Sequence, residues 1–160
     1  IPLYLHITMA ADNDNCLFFW WAASTVRHLG IGGKHGHPSV NPKDLPQYDP
    51  ERRFAAYSEQ MKLYRRLRPY FTRGTFHGLA EDVHLHTLAD RAGGVVVLFN
   101  LSDTARTMES RIALRTLQAE GALRVEGAVG SVEDGMLHIR VNVAAMSPAV
   151  VRMGDAAEES

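Results

Sequence analysis

Apolar positions run in two rhythms along the chain, and the change falls near residue 70. In the first part, "LYLHIT" is nearly continuous in strand formers, the pattern of a strand buried on both faces of a parallel sheet. "DNDN" follows and offers N-cap candidates in Asp12, Asn13, Asp14 and Asn15. The run from Cys16 to about His28 then predicts a helix packed on much of its circumference, with Gly30 as its C-cap. A second helix starts where Asp49 can cap and Pro50 takes the first helical position. Phe54, Tyr57, Met61 and Tyr64 recur at spacings of three and four and predict its apolar stripe. Arg52, Arg53, Lys62, Arg65 and Arg66 read as its solvated positions, and Pro69 as its stop. Between the helices, "GIGGKHGHPSVNPKDLPQY" is a long Gly/Pro-rich loop, a kind uncommon in compact domains and usually functional or disordered. "HLGI" leaves room there for one short strand.

Beyond residue 71 the helical period disappears. Candidate strands are "FTRGTFHG", "VHLHTLA", "GGVVVLFNLS", "TMESRIAL", "LRVEGAV", "MLHIRVNV" and "AVVRMG". Turn signals separate them at "DRAGG", "SDTA", "EDG" and "MSP". Short strands with frequent turns predict an antiparallel sandwich or barrel, closed by an unstructured tail over residues 155–160. Phe76 and Phe99 are expected in its core.

Charge and composition remove several classes of function. Seventeen basic residues nearly cancel eighteen acidic ones, for a net charge of −1, and no basic run interleaves with aromatics. Such a balance gives no field to attract nucleic acid or an anionic membrane. The single cysteine, Cys16, excludes an internal disulfide and a multi-cysteine zinc site, and its place at the head of an apolar run predicts a buried, inert thiol. "CLFFWWAASTV" is too short to cross a bilayer, and no stretch has the form of a signal peptide. Localisation is therefore unassigned. The chain starts without Met and enters at once into strand-like sequence, which reads as the tail of a longer protein.

His84 and His86 in "GLAEDVHLHTL" share one side of a strand, the geometry a metal would need. Gly78, His84, His86 and Asp90 match the count of the first cupin motif, and His138 followed by Asn142 resembles the end of the second. The Pro-x-Gly part of that second motif is absent, and Asp90 falls in a turn. The preferred reading is a half-exposed strand with Val83, Leu85 and Thr87 facing the core. No metal or other cofactor is assigned.

Four stretches, taken in order, resemble the C-terminal end of a retaining glycoside hydrolase of the α-galactosidase-like kind. They are "PLYLHI" with "DNDN", "FWWAASTVRHLGIGG", "YSEQMKLYRRLRPYFTRGTF", and "VHLHTL…GGVVVLFNLSD" closing with "VNVAAMSPAVVRMG". The resemblance implies an α/β barrel fragment followed by an all-β antiparallel sandwich. Residues 1–70 would be the last strand-helix units of a (β/α)₈ barrel and residues 71–154 the sandwich. It implies a carbohydrate substrate, with the remainder of the barrel upstream as partner. The two catalytic carboxylates of such an enzyme would also lie upstream, so no catalytic residue is assigned. Asp12, Asn13 and Asp14 would stand on one rim loop of the sugar pocket, and Lys34, His35 and His37 on the next. Trp20 and Trp21, about 100° apart on a helix, cannot both face one ligand, and at least one is expected in the core. Arg27 and His28 are expected to complement the carbonyl end of their own helix. Two other readings stay open: a small cupin-like metal-binding barrel using His84 and His86, and a non-catalytic carbohydrate-binding module.

Overall fold

The computed structural model describes residues 4–32 and 48–155. Strand β1 (Tyr4–Thr8) runs through a single 3₁₀ turn (Met9–Ala11) and a polar loop into helix α1 (Leu17–Thr25). Strand β2 (His28–Gly32) then lies parallel to β1, in register from Tyr4↔His28 to Thr8↔Gly32. The "HLGI" stretch is therefore a strand, and α1 ends at Thr25 rather than His28. Val26 is already extended (φ −126°, ψ 151°), a backbone its β-branched side chain accepts easily, so Gly30 caps nothing.

Helix α2 (Pro50–Thr72) begins as its sequence predicts, with the Asp49 carboxylate accepting from the Glu51 and Arg52 N–H groups. Its end does not. Pro69 sits inside the last turn, and the Arg73 N–H still bonds to the Pro69 carbonyl. Proline there forfeits one donor only, and burial of Tyr70 and Phe71 holds the extra turn. The stripe is also displaced. Phe54 is 53% exposed, whereas Arg53 is 5% exposed and leads the buried row through Tyr57, Tyr64 and Leu67.

Eight strands follow: β3 (Thr75–Ala80), β4 (Val83–Thr87), β5 (Gly94–Asn100), β6 (Arg106–Ala113), β7 (Leu123–Glu126), β8 (Val129–Glu133), β9 (Met136–Val143) and β10 (Ser147–Asp155). They form a five-stranded sheet, β3-β4-β5-β10-β7, and a three-stranded sheet, β6-β9-β8, with every pairing antiparallel. The "LRVEGAV" stretch is two strands. Gly127, at φ +93°, breaks it, and a Cβ there would lie 2.7 Å from the Val150 carbonyl oxygen. That corner lets β7 stay in one sheet while β8 crosses to the other. Asp134 and Gly135, both at positive φ, close the β8–β9 hairpin as a two-residue turn. At the C-terminus β10 runs through Asp155, and the rest of the expected tail lies outside the described residues.

Three layers result. Val83, Leu85, Val96, Leu98 and Val151 face Met108, Ile112, Leu137 and Ile139 between the two sheets. On the opposite face of the larger sheet, Val95, Val97 and Phe99 pack against Phe19, Trp20, Tyr64, Leu67 and Phe71 of the two helices. Every residue of β4 and β5 is buried for this reason. Antiparallel strands usually alternate, but strands covered on both sides read as an unbroken apolar run, as "GVVVLFN" does.

Asn100, at the end of β5, is fully buried and ties the sheets together. Its Nδ2 donates to the carbonyls of Thr104 (2.8 Å), Val143 (3.0 Å) and Ala144 (3.0 Å), while its Oδ1 accepts from the Ser102 N–H and hydroxyl. Replacing Asn100 by Ala orphans several of these groups at once, and urea unfolding is expected to show a loss of about 2–4 kcal/mol.

Candidate functional site

The loop after β1 carries the densest polar network in the described residues. Its backbone turns back on itself at Cys16, which takes a left-handed conformation (φ 58°). The α1 N-cap position is thus a residue whose side chain cannot cap. Asp12 takes over from four residues upstream: its Oδ1 accepts from the Phe18 N–H at 2.8 Å and its Oδ2 from the Phe19 N–H at 2.9 Å. Asn13 Oδ1 receives the Leu17 N–H at 3.2 Å. The first helical N–H groups are so satisfied by two side chains of the preceding loop.

Helix α2 closes the network from the other side. The Tyr57 hydroxyl donates to Asp12 Oδ2 at 2.6 Å, and burial followed by this bond holds the phenol well above its usual range. Buried Arg53 donates through Nη1 to the Met9 and Asp12 carbonyls and through Nε to Asp14 Oδ1 at 3.0 Å. Arg52 meets the other Asp14 oxygen at 2.8 Å. The Arg53 guanidinium also lies 5.1 Å from the Tyr48 ring centroid. Reading Arg53 as solvated missed this because spacing registers only that a cation falls beside an apolar stripe. The buried partners come from a loop some forty residues away.

On its third side the loop meets the sandwich. Asn13 Nδ2 donates to the Met146 carbonyl at 2.8 Å, and Asn15 Nδ2 lies 3.4 Å from the Ala145 and Met146 carbonyls. A cleft lined by Asp14, Asn15, Gln60, Asn142 and Ser147 opens at this junction. Of the residues expected on the sugar rim, Asp12 is buried with both carboxylate oxygens engaged, Asn13 is half-buried, and Asp14 is the more exposed carboxylate. Lys34, His35 and His37 lie outside the described residues.

A second polar cluster sits where α1 crosses β4. His84 and His86 are 6% and 3% exposed, so the half-exposed strand expected from sequence is covered on that side by the helix. Ser24 Oγ lies 2.8 Å from His84 Nδ1 and 2.8 Å from His86 Nε2. His138 is on the other sheet, bonded at 3.3 Å to Arg111, and Asp90 lies exposed beside Arg91. The cupin comparison therefore brings together two of its ligands and disperses the rest. Among the described residues no group of three His, Cys, Asp or Glu side chains could hold a metal ion.

The remaining expectations divide. Trp20 is fully buried with its indole N–H on Gln60, while Trp21 is 42% exposed and edge-on to His84. Arg27 serves a helix end, but that of α2: its Nη1 donates to the Thr72 carbonyl at 2.9 Å. His28 belongs to β2. Phe99 is in the core, whereas Phe76 is half-exposed because it lies on the sheet's edge strand. Cys16 is buried, and burial with the nearby Asp12 charge pushes its thiol up to about 12. No helix among the described residues is long and apolar enough to cross a membrane.

The fold defined by these contacts is a parallel strand-helix-strand-helix unit packed on an antiparallel sandwich. Solved glycoside hydrolases share it. An α-amylase from Geobacillus thermoleovorans, solved with acarbose, superposes at a TM-score of 0.56, with 15% identity over 91% of this chain and 35% of that one. AmyP in complex with maltose does so at 0.54, with 13% identity over 90% of this chain and 35% of that one. α-Galactosidase I from Mortierella vinacea gives 0.48, with 16% identity over 92% and 37%. The chain thus spans about a third of the length of the structures it matches. No protein-family profile matches it, and no curated protein does.

Two outcomes follow from the loop geometry. Tyr57→Phe removes one donor from a buried carboxylate and is expected to cost about 1–3 kcal/mol in urea unfolding. A colorimetric thiol reagent at pH 8 should leave Cys16 untouched in the folded chain and titrate it fully in urea.

Proposed function

We propose that this chain is the C-terminal part of a glycoside hydrolase acting on α-linked sugars. The region through the end of α2 at Thr72 forms the last strand-helix units of its (β/α)₈ barrel, and β3 to β10, through Asp155, a structural sandwich. The observation that carries the reading is the parallel β1/β2 pair joined by α1, followed by α2 and then by the sandwich. The superpositions on the acarbose-bound and maltose-bound neighbours, which cover about nine-tenths of the chain, support this reading.

Two parallel strands are too few to close a sheet. Among the described residues each has a single partner, so each keeps an edge on which further barrel strands can pair. Phe18 and Trp21, exposed on α1, supply apolar surface for the neighbouring unit. The remainder of the barrel is the partner, and it carries the nucleophile and the acid/base carboxylate, the pair that glycoside hydrolysis requires.

Barrel active sites form at the C-terminal ends of the strands. The loops after β1 and β2 are then rim loops. In the first, Asp12 and Asn13 hold the loop to α1, α2 and the sandwich, and the half-buried Asp14 carboxylate, oriented by Arg52 and Arg53, is the one left to meet sugar hydroxyls. In the second, Lys34, His35 and His37 take the corresponding part. Such contacts orient a substrate and take no part in bond cleavage.

The test is to express the chain together with its upstream coding region and assay aryl α-glycosides. The longer protein is expected to hydrolyse them and the 160-residue chain to be inert. Asp14→Ala in the longer protein should raise KM about tenfold with kcat retained. An upstream region without paired carboxylates at strand ends, or turnover by the short chain alone, would remove this reading.

A further inference from the structure

We propose that Ser24, His84 and His86 form an acid-released latch that fastens the helical layer to the five-stranded sheet. The geometry assigns the latch its logic. One hydroxyl stands between two ring nitrogens, at 2.8 Å from each, and a hydroxyl has one proton to give. With both rings neutral, Ser24 donates to one nitrogen and accepts from the N–H of the other. Either ring can be the acceptor and the other the donor, and both bonds hold in either arrangement. Both Ser24 bonds form only when one ring presents a bare nitrogen and the other an N–H.

A further proton upsets it. On the ring that accepts from Ser24 it would turn the acceptor nitrogen into a donor and leave the hydroxyl proton without its partner. On His86 it would create a cation whose neighbours are the rings of Phe71 at 4.8 Å and Phe76 at 5.4 Å. The charged groups around the cluster do not compensate. Asp82 lies toward His84, but it also pairs with Arg106 at 3.6 Å. His77, beside the cluster on β3, and Arg27, which lines the same small pocket as His86, can add only positive charge. From α2 comes Phe71, from β5 comes Phe99, and from α1 the exposed edge of Trp21.

Both imidazoles are accordingly held below their ordinary range. Burial dominates for each, and for His86, whose value falls to about 4, the neighbouring His84 and His77 add to it. The released state, with exposed rings, binds protons from about pH 6.5 downward, whereas the docked state does not take one on His86 until about pH 4. Docking is therefore complete above pH 6.5, weakens as pH falls, and reaches its full loss below about 4. Across that window His86 alone shifts the equilibrium toward release by about 300-fold. The sandwich core does not share the switch, because these are the two buried imidazoles among the described residues and the layer between the sheets contains neither.

Amide hydrogen exchange on the 160-residue chain, expressed as protection factors from pH 7.5 to 4, tests the latch. Protection in α1 and in β4 is expected to collapse across pH 6.5–4 while β6 and β9 keep theirs. The triple variant Ser24→Ala, His84→Phe, His86→Phe should hold α1 protection constant over the same range. In the unaltered chain, an NMR titration of the His86 ring should give a midpoint below 5 that coincides with the loss of α1 protection. This measurement decides the matter even where the triple variant does not fold. A His86 midpoint near 6.5, or equal loss of protection in α1 and β9, would overturn the proposal.

Discussion

A sheet with two faces to cover governs this molecule. Strands β4 and β5 lie in the middle of three layers, and each residue along them is buried. The three-stranded sheet satisfies one face, and its exclusion of water from Leu85, Val96, Leu98 and Val151 is ordinary sandwich packing. The other face requires helices, and the region before residue 73 supplies them. At about 25 cal/mol per Å² of apolar surface, burial on both faces contributes a large share of the stability of the molecule.

Covering the second face with helices forces polar groups into the dry zone, and the structure resolves each locally. The Asp12 carboxylate would be a buried charge, but two helical N–H groups and the Tyr57 hydroxyl surround it, and Arg53 neutralises the loop. Removing one partner from such an assembly is costlier than the assembly is stabilising, since the group left behind has no water to turn to. The two imidazoles are handled more sparingly, by one hydroxyl between them. No buried side-chain nitrogen or oxygen among the described residues lacks a partner.

The same arrangement bears on function. If the loop after β1 is the rim loop proposed above, it must hold its shape to present groups to a sugar. Here it is braced from three directions, by α1, α2 and the Ala145–Met146 corner of the sandwich. Met146 holds a positive φ of 49°, and its N–H bonds to the Ser102 carbonyl, so the corner is itself fixed. In the reading proposed above, the sandwich is a strut for the rim.

Local sequence determined whatever depends on near neighbours: the Asp49–Pro50 start of α2, the Asp134–Gly135 turn, and the strand over "VVVLF". Those features follow from propensity and period, which a few residues encode completely. The positions misread from sequence are the ones where distant segments meet. Pro69 reads as a stop until Tyr70 and Phe71 are seen in the core, and Arg53 as solvated until Asp12 and Asp14 arrive from the loop after β1. "HLH" shows a shared side at period two, but only the crossing of α1 decides that this side is dry and that Ser24 stands between the rings. Contacts of that kind separate residues by forty to more than a hundred positions, and no local pattern carries the information.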